Sequence, residues 1–228
     1  MSATHDFDTV PDAADDADDA AGRSGALVEP PVDTAPLAAT LRAATAELVA
    51  ERGPAGFSLR EVARRAGVSH AAPGHHYGST KGLLTAVAAD GYTALAAVLR
   101  EAIDTHDDPR EQLRAGGKGY LDLAARHPGH YALMFSPDLL DQTDERIAEA
   151  GSSAFATLVE CVQGIADRFN PELEVETAAT MAWATMAGLV EIGPKVDHIA
   201  EQPENDCLPH ADMIDGIIDL MIAGFTGR

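Results

Sequence analysis

The run Phe57-Ser58-Leu59-Arg60-Glu61-Val62-Ala63-Arg64-Arg65-Ala66-Gly67-Val68-Ser69 decides the fold of this chain. Ser58 followed three residues later by Glu61 reads as a capping box. The serine hydroxyl is expected to accept from the amide of Glu61, and the glutamate to reach back to the amide of Ser58. Phe57 and Val62 occupy the two hydrophobic-staple positions around it. The helix started there runs to about Ala66 and Gly67 supplies a turn. Ser69 then offers a second N-cap, before His70-Ala71-Ala72-Pro73-Gly74-His75-His76-Tyr77. Two short helices about a glycine turn make a helix-turn-helix.

The flanks are helical as well. Upstream, Leu37, Leu41, Ala44, Leu48 and Val49 recur at spacings of three and four, which predicts a helix over about 36–52, closed by Gly53-Pro54. Downstream, Thr80 is expected to cap a long helix whose stripe is Leu84, Val87, Ala88, Gly91, Leu95, Val98 and Leu99. Asp108-Pro109-Arg110-Glu111 opens the next helix, and His127-Pro128-Gly129 breaks it. Shorter helical material through Phe135, a helix over about 141–168, and another from Asn170-Pro171-Glu172 to about Ile192 follow. A Pro-bounded connection, 194–209, leads to a last apolar face of Met213, Ile214, Ile217, Ile218, Met221 and Phe225. No segment alternates with period two. The fold class is therefore all-α with about nine helices: an N-terminal three-helix helix-turn-helix domain and a C-terminal helical domain.

Charge is distributed unevenly over the 228 residues, whose formal net charge is -21. Residues 1–33 carry nine acids against Arg23, a net of -8, among Asp-Ala repeats with few large apolar residues, and read as a disordered acidic tail. Residues 34–90 hold Arg42, Arg52, Arg60, Arg64, Arg65 and Lys81 against four acids, a net of +2, while 91–228 are again acidic at -15. In an otherwise anionic chain, only this island is friendly to a polyanion. The two cysteines, Cys161 and Cys207, supply neither a disulfide framework nor a zinc cluster, so a reducing compartment is expected. No apolar run reaches the ~18 residues of a membrane span, and the N-terminus lacks the pattern of a signal peptide. A soluble, cytoplasmic protein without a membrane partner is expected.

Residues 40–95 resemble the DNA-binding domain of the TetR/AcrR family of transcriptional regulators. The resemblance rests on three linked blocks: Leu48-Val49-Ala50-Glu51-Arg52-Gly53, the run from Phe57 to Ser69, and His75-His76-Tyr77-Gly78-Ser79-Thr80-Lys81-Gly82-Leu83-Leu84. Further on, Trp183-Ala184-Thr185-Met186-Ala187-Gly188 is similar to a Trp-x-x-His-Gly-type element of one class of TetR ligand-binding domains, with Met186 near the histidine position. Three departures stand out. Gly74 replaces the tyrosine usual in the family's recognition helix, Thr80 replaces its lysine, with Lys81 displaced by one residue, and Pro73 sits in the first helical turn.

The resemblance implies a homodimeric, ligand-responsive regulator of double-stranded DNA, most simply a repressor released from a palindromic operator by a small molecule. The domains it implies are a tail over 1–33, a DNA-binding domain over 34–82, and an effector-binding and dimerisation domain over 83–228. Polar or small residues about the second helix and phosphate-holding charges are expected to face DNA: Ser58, Arg60, Ser69, His70, Ala71, His75, His76 and Lys81. No arginine sits in the recognition helix, so a bidentate guanine contact is not available from it. Tyr77 is expected to pack between helices instead. An apolar effector cavity is expected from Tyr120, Tyr131, Met134, Phe135, Phe155, Met181, Trp183 and Met186, although core packing is the better explanation of any one of them taken singly. Ala182, Thr185, Leu189, Ile214, Ile217, Ile218 and Met221 are expected to form a four-helix dimer interface.

No catalytic residue, metal ligand set or cofactor is expected. The spacings of His70, His75 and His76, and of His127 and His130, lack the Cys, Asp or Glu that would complete a tetrahedral set. Two other readings remain open: a small all-α enzyme using Cys161 or a His/Asp site, and an acidic interaction protein of the same fold that does not bind DNA.

Overall fold

In the computed structural model the described residues are 34–200 and 210–227, with side chains described over 36–193 and 212–227. The acidic segment 1–33 and most of the Pro-bounded connection lie outside them. Among the described residues there are nine α-helices, two single 3-10 turns and no strand. The helices are α1 (Thr34–Arg52), α2 (Leu59–Arg65), α3 (Ala72–Tyr77), α4 (Thr80–Thr105), α5 (Pro109–Arg126), α6 (Pro128–Met134), α7 (Glu145–Phe169), α8 (Val175–Ala200) and α9 (His210–Phe225).

Several helix starts differ from the expectation, each for a local reason. Ser58 is the N-cap of α2 by position, yet its side chain makes no capping bond. Glu61 instead accepts from Arg64 at 2.8 and 2.7 Å and from Arg65 at 3.2 Å. Guanidinium groups one turn away offer charge-assisted bonds, stronger than a bond to a neutral amide. Ser69 does not start α3, which begins at Ala72 with Ala71 in the cap position and Pro73 in the first turn. Ser79, not Thr80, caps α4: its extended backbone lets the hydroxyl accept from the Gly82 amide at 3.0 Å. Asp108 caps α5 as expected, accepting from the Arg110 amide. Asn170-Pro171-Glu172 does not open α8. Asn170 ends α7, and its amide donates to the Phe225 carbonyl at 3.0 Å, tying the last turns of α7 and α9 together. α8 begins at Val175 and continues past Ile192 to Ala200.

Three apolar clusters form the interior, and α4 enters all of them. Leu83 joins Leu41, Leu48 and Val62 beneath the helix-turn-helix. Leu84, Val87 and Ala88 pack with Ala46 and Val49 of α1 and Leu133 of α6. Leu95 and Leu99 belong to the largest cluster, with side chains of α5, α6, α7, α8 and α9. An 18-residue window of α4 is apolar enough to cross a membrane, mean hydropathy 1.5, contrary to the expectation that no run would qualify, but 61% of that window is buried inside the chain. Such a helix is apolar nearly all round because proteins surround it.

The short helix α6 is also shared. Leu133 faces the α1–α4 cluster, whereas Tyr131 and Met134 enter the large one. Its approach to α1 requires Gly129: a Cβ there would run into the Ala46 carbonyl.

Candidate nucleic-acid interface and effector cavity

α2 and α3 are joined through Gly67, whose φ of 69° is a left-handed conformation that glycine adopts without strain. The Val68 amide returns to the Ala63 carbonyl at 3.0 Å, closing α2. Tyr77 is half-buried among α1, α2 and α4 residues, as the sequence suggested. Its hydroxyl donates to the Ala38 carbonyl at 2.8 Å and accepts from Arg42 at 3.1 Å. Arg42 in turn pairs with Asp90 at 2.6 Å, so one guanidinium ties α1 to both α3 and α4.

This frame leaves Arg60, Ser69, His70, Ala71, His75 and Lys81 exposed, with Ser58 and His76 half-exposed. Ser58, Arg60 and His70 line one shallow cleft, together with Arg52, Glu61 and Arg64. Arg52 and Arg64, part of the basic island but not among the residues expected to face DNA, lie in different helices and meet only in the folded chain. Charge in this region divides into two sets. Arg65 is held by Glu51 at 2.5 Å and by Glu61, and Arg64 by Glu61, which lowers the Glu61 carboxyl to about 2. Among the described residues Arg52, Arg60 and Lys81 form no ion pair. Those three keep their charge available to a phosphate, whereas Arg64 and Arg65 serve first as braces.

The second site lies among α4, α5, α7, α8 and α9. Leu95, Leu99, Leu113, Gly116, Gly117, Tyr120, Ala154, Leu158, Ala182, Trp183, Met186 and Met221 surround a cavity of about 30 Å³. Of the expected effector residues, Tyr120, Trp183 and Met186 line it. Tyr131 is buried beside it, edge-on to Tyr120 with ring centroids 6.0 Å apart, and Phe155 packs on Trp183 at 5.8 Å. Met134 and Phe135 line a separate outer groove with Tyr92, Leu140 and Ile147. Met181 is a correction. It is 51% exposed on α8, because the cavity face of that helix is the one carrying Ala182, Trp183 and Met186.

The expected dimer residues are corrected too. Ala182, Leu189, Ile218 and Met221 are buried in the chain's own core, and Ala182 and Met221 line the cavity. Ile214, Ile217 and Thr185 are half-buried. The faces turned outward carry Met181, Gly188 and Ile192 on α8, and Met213, Ile217, Leu220 and Gly224 on α9. The sequence marked both helices as sticky but could not say which of two apolar faces each one keeps inside.

Among the described residues no group of three His, Cys, Asp or Glu stands together as a metal site. Cys161 is fully buried, and burial pushes its thiol up to about 12, so it carries no thiolate at neutral pH.

A helix-turn-helix with free basic side chains, resting on a helical domain with an apolar cavity, defines the class: a DNA-binding transcriptional regulator with a ligand-binding body. Residues 41–87 match the family described as bacterial regulatory proteins, tetR family, and residues 113–193 match the tetracyclin repressor-like C-terminal domain. The chain belongs to the TetR family of transcriptional regulators. It is 29% identical over 149 residues to the HTH-type transcriptional activator FasR of Mycolicibacterium smegmatis, a match covering 65% of each chain and so just under two thirds of that relative. A solved structure of a protein with unknown function from Rhodococcus sp. RHA1 has 27% identity and a TM-score of 0.70, over 86% of this chain and 98% of that one. The transcriptional regulator FadR from Bacillus subtilis, solved in complex with stearoyl-CoA, shares the fold at a TM-score of 0.65 and 16% identity, over 82% of this chain and 98% of FadR.

Proposed function

We propose that this protein is a cytoplasmic, homodimeric repressor that holds a palindromic operator and releases it when an apolar small molecule enters the cavity. The division of labour follows the expected boundaries, 34–82 for DNA and 83–228 for effector and partner. The observation that carries the reading is α4. Its first turns hold Leu83 under the helix-turn-helix, and its later turns place Leu95 and Leu99 in the cavity wall. Ligand pockets commonly measure about 300–1,000 Å³, so the cavity of about 30 Å³ must open to admit an effector. Close-packed interiors do not absorb such a change locally. Expansion pushes on α4, and on α6 through Tyr131, and both helices pass the displacement to α1.

The apolar lining suits an acyl chain or a body of similar character, the kind of moiety that FadR holds in its stearoyl-CoA complex. For the dimer, Met181, Gly188 and Ile192 on α8 and Met213, Leu220 and Gly224 on α9, with the half-buried Ile217 kept from the first expectation, take the place of the inward residues. A Cβ at Gly188, Gly216 or Gly224 would meet nothing within 4 Å, so a partner helix can approach closely there. Two copies joined this way present two recognition helices to half-sites about 34 Å apart or a multiple of that. The activity is binding rather than catalysis. Against the enzyme reading stands Cys161, buried and protonated.

Gel retardation with the DNA flanking the gene, together with a reporter placed behind it, tests the proposal. Specific retention with rising expression on deletion supports repression, falling expression reverses the sign to that named for FasR, and no specific retention leaves the interaction-protein reading standing. Replacing Lys81 by Ala is expected to weaken all sequences alike and to flatten the salt dependence by roughly one unit.

A further inference from the structure

Tyr120 is 6% exposed, and its hydroxyl is, among the described residues, the one buried side-chain polar atom without a hydrogen-bond partner. The Tyr131 hydroxyl and the Trp183 N–H are near enough to act on its titration, but no side chain meets the Tyr120 hydroxyl at hydrogen-bonding geometry. The remaining lining of the cavity is apolar: Leu95, Leu99, Leu158, Met186 and Met221 face the same space. Buried polar groups in native folds are nearly always paired, and leaving one unpaired destabilises the empty state. A donor kept unpaired against a cavity calls for an acceptor brought in from outside.

We infer that Tyr120 is the polar anchor of the effector site, donating its O–H to the carbonyl oxygen of a neutral, predominantly apolar molecule. This rests on the effector-cavity reading above and narrows it. Burial raises the Tyr120 pKa, so the phenol remains a donor at any cellular pH. The class is neutral because no charged residue lines the cavity. A carboxylate or phosphate brought there would lose its hydration without gaining a counter-charge. The class is also elongated. Tyr92 meets Trp183 with ring centroids 6.2 Å apart and itself lines the outer groove with Met134, Phe135, Leu140 and Ile147, so one ring stands between the two apolar spaces. A ketone, an ester and a thioester share this chemistry.

Trp183 is the single tryptophan of the chain and lines the cavity, so its fluorescence reports occupancy directly. The full chain and the Tyr120→Phe variant are titrated with 2-nonanone, methyl octanoate, S-ethyl thiooctanoate, nonanoate and nonane. The neutral carbonyl compounds are expected to bind the unaltered protein best, and Tyr120→Phe to weaken them about tenfold while leaving nonane unchanged. Their order of affinity tells the three carbonyl sources apart. The ligand-free variant is expected to melt at the same temperature or a few degrees higher, because an unpaired hydroxyl is removed. Equal carbonyl affinities in both proteins, a preference for nonanoate, or a variant melting several degrees lower each overturn the assignment. The last result would mean that the hydroxyl has a structural partner, such as an ordered water. A wild-type Trp183 signal indifferent to every compound would instead overturn the cavity reading, and the anchor with it.

Discussion

At the scale of single residues, Gly74 matters for what surrounds it. The side is exposed, and a Cβ there would meet nothing within 4 Å. The Cβ of the tyrosine that the family resemblance places at this position therefore meets open space. Gly74→Tyr is expected to strengthen DNA binding several-fold through an added phosphate contact, and to firm up α3 by about 0.5 kcal/mol, the helix penalty of glycine less that of tyrosine. Filter binding and thermal melting check the two parts separately. In the same helix, replacing His75 and His76 together by Ala is expected to abolish operator discrimination while leaving the circular dichroism helical. Undiminished affinity would remove this helix as the reader.

Glu61 carries a second expectation. Its side chain holds Arg64 and Arg65, and those bonds lower its carboxyl from 4.5 to about 2. A carboxylate depressed in the folded state contributes stability above its unfolded pKa and loses it as pH falls through the folded value. The melting temperature of Glu61→Gln should therefore lie below that of the unaltered chain near neutrality. The difference should close as pH falls from about 4.5 to about 2. A pH-independent gap would mean that Glu61 acts through packing alone. The sequence showed the Ser58/Glu61 spacing, which reads as a capping box. Which of several partners a flexible carboxylate takes depends on where Arg64 and Arg65 point, and spacing alone does not contain that.

Among the elements, α6 is a second link, beside α4, between the large cluster and the DNA-binding helices. Tyr131 and Met134 face the effector cluster, Leu133 faces α1 and α4, and Gly129 brings the helix against the Ala46 carbonyl. Gly129→Ala must push α6 away from α1, because the obstacle is backbone and cannot rotate aside. The expected outcome is a loss of about 1–3 kcal/mol of stability, of the size that overpacking costs. Operator affinity measured at a temperature where the variant is folded should respond less to effector than in the unaltered protein. An unchanged effector response would assign the coupling to α4 alone. None of this was legible beforehand: His127-Pro128-Gly129 announced a break, and only the fold shows that α1 lies across it.

For the whole molecule, the proposed dimer places the outward faces of α8 and α9 in its interface. Leu220 is 75% exposed in the single chain, so Leu220→Asp should leave the fold intact and halve the mass seen by light scattering, with loss of affinity for a palindromic site but not for a half-site. Ile218, two residues earlier and fully buried on the opposite face of the helix, serves as the contrast: Ile218→Asp is expected to unfold the chain. A Leu220→Asp protein that remains dimeric would move the interface elsewhere.

Local signals carried far at this scale. The period of the apolar residues and the proline and glycine breaks determined an all-α fold and the helix-turn-helix, because each is a property of neighbouring residues along the chain. Tertiary structure alone decided which apolar stripe faces inward. Met221 and Ala182, read as dimer residues, line the cavity, and Met181, read as an effector residue, faces out. Helices α8 and α9 carry apolar side chains on more than one face, so their sequences alone do not say which face is turned inward. Which side belongs to its own core is settled by the helices packed against it, and those are distant in the chain.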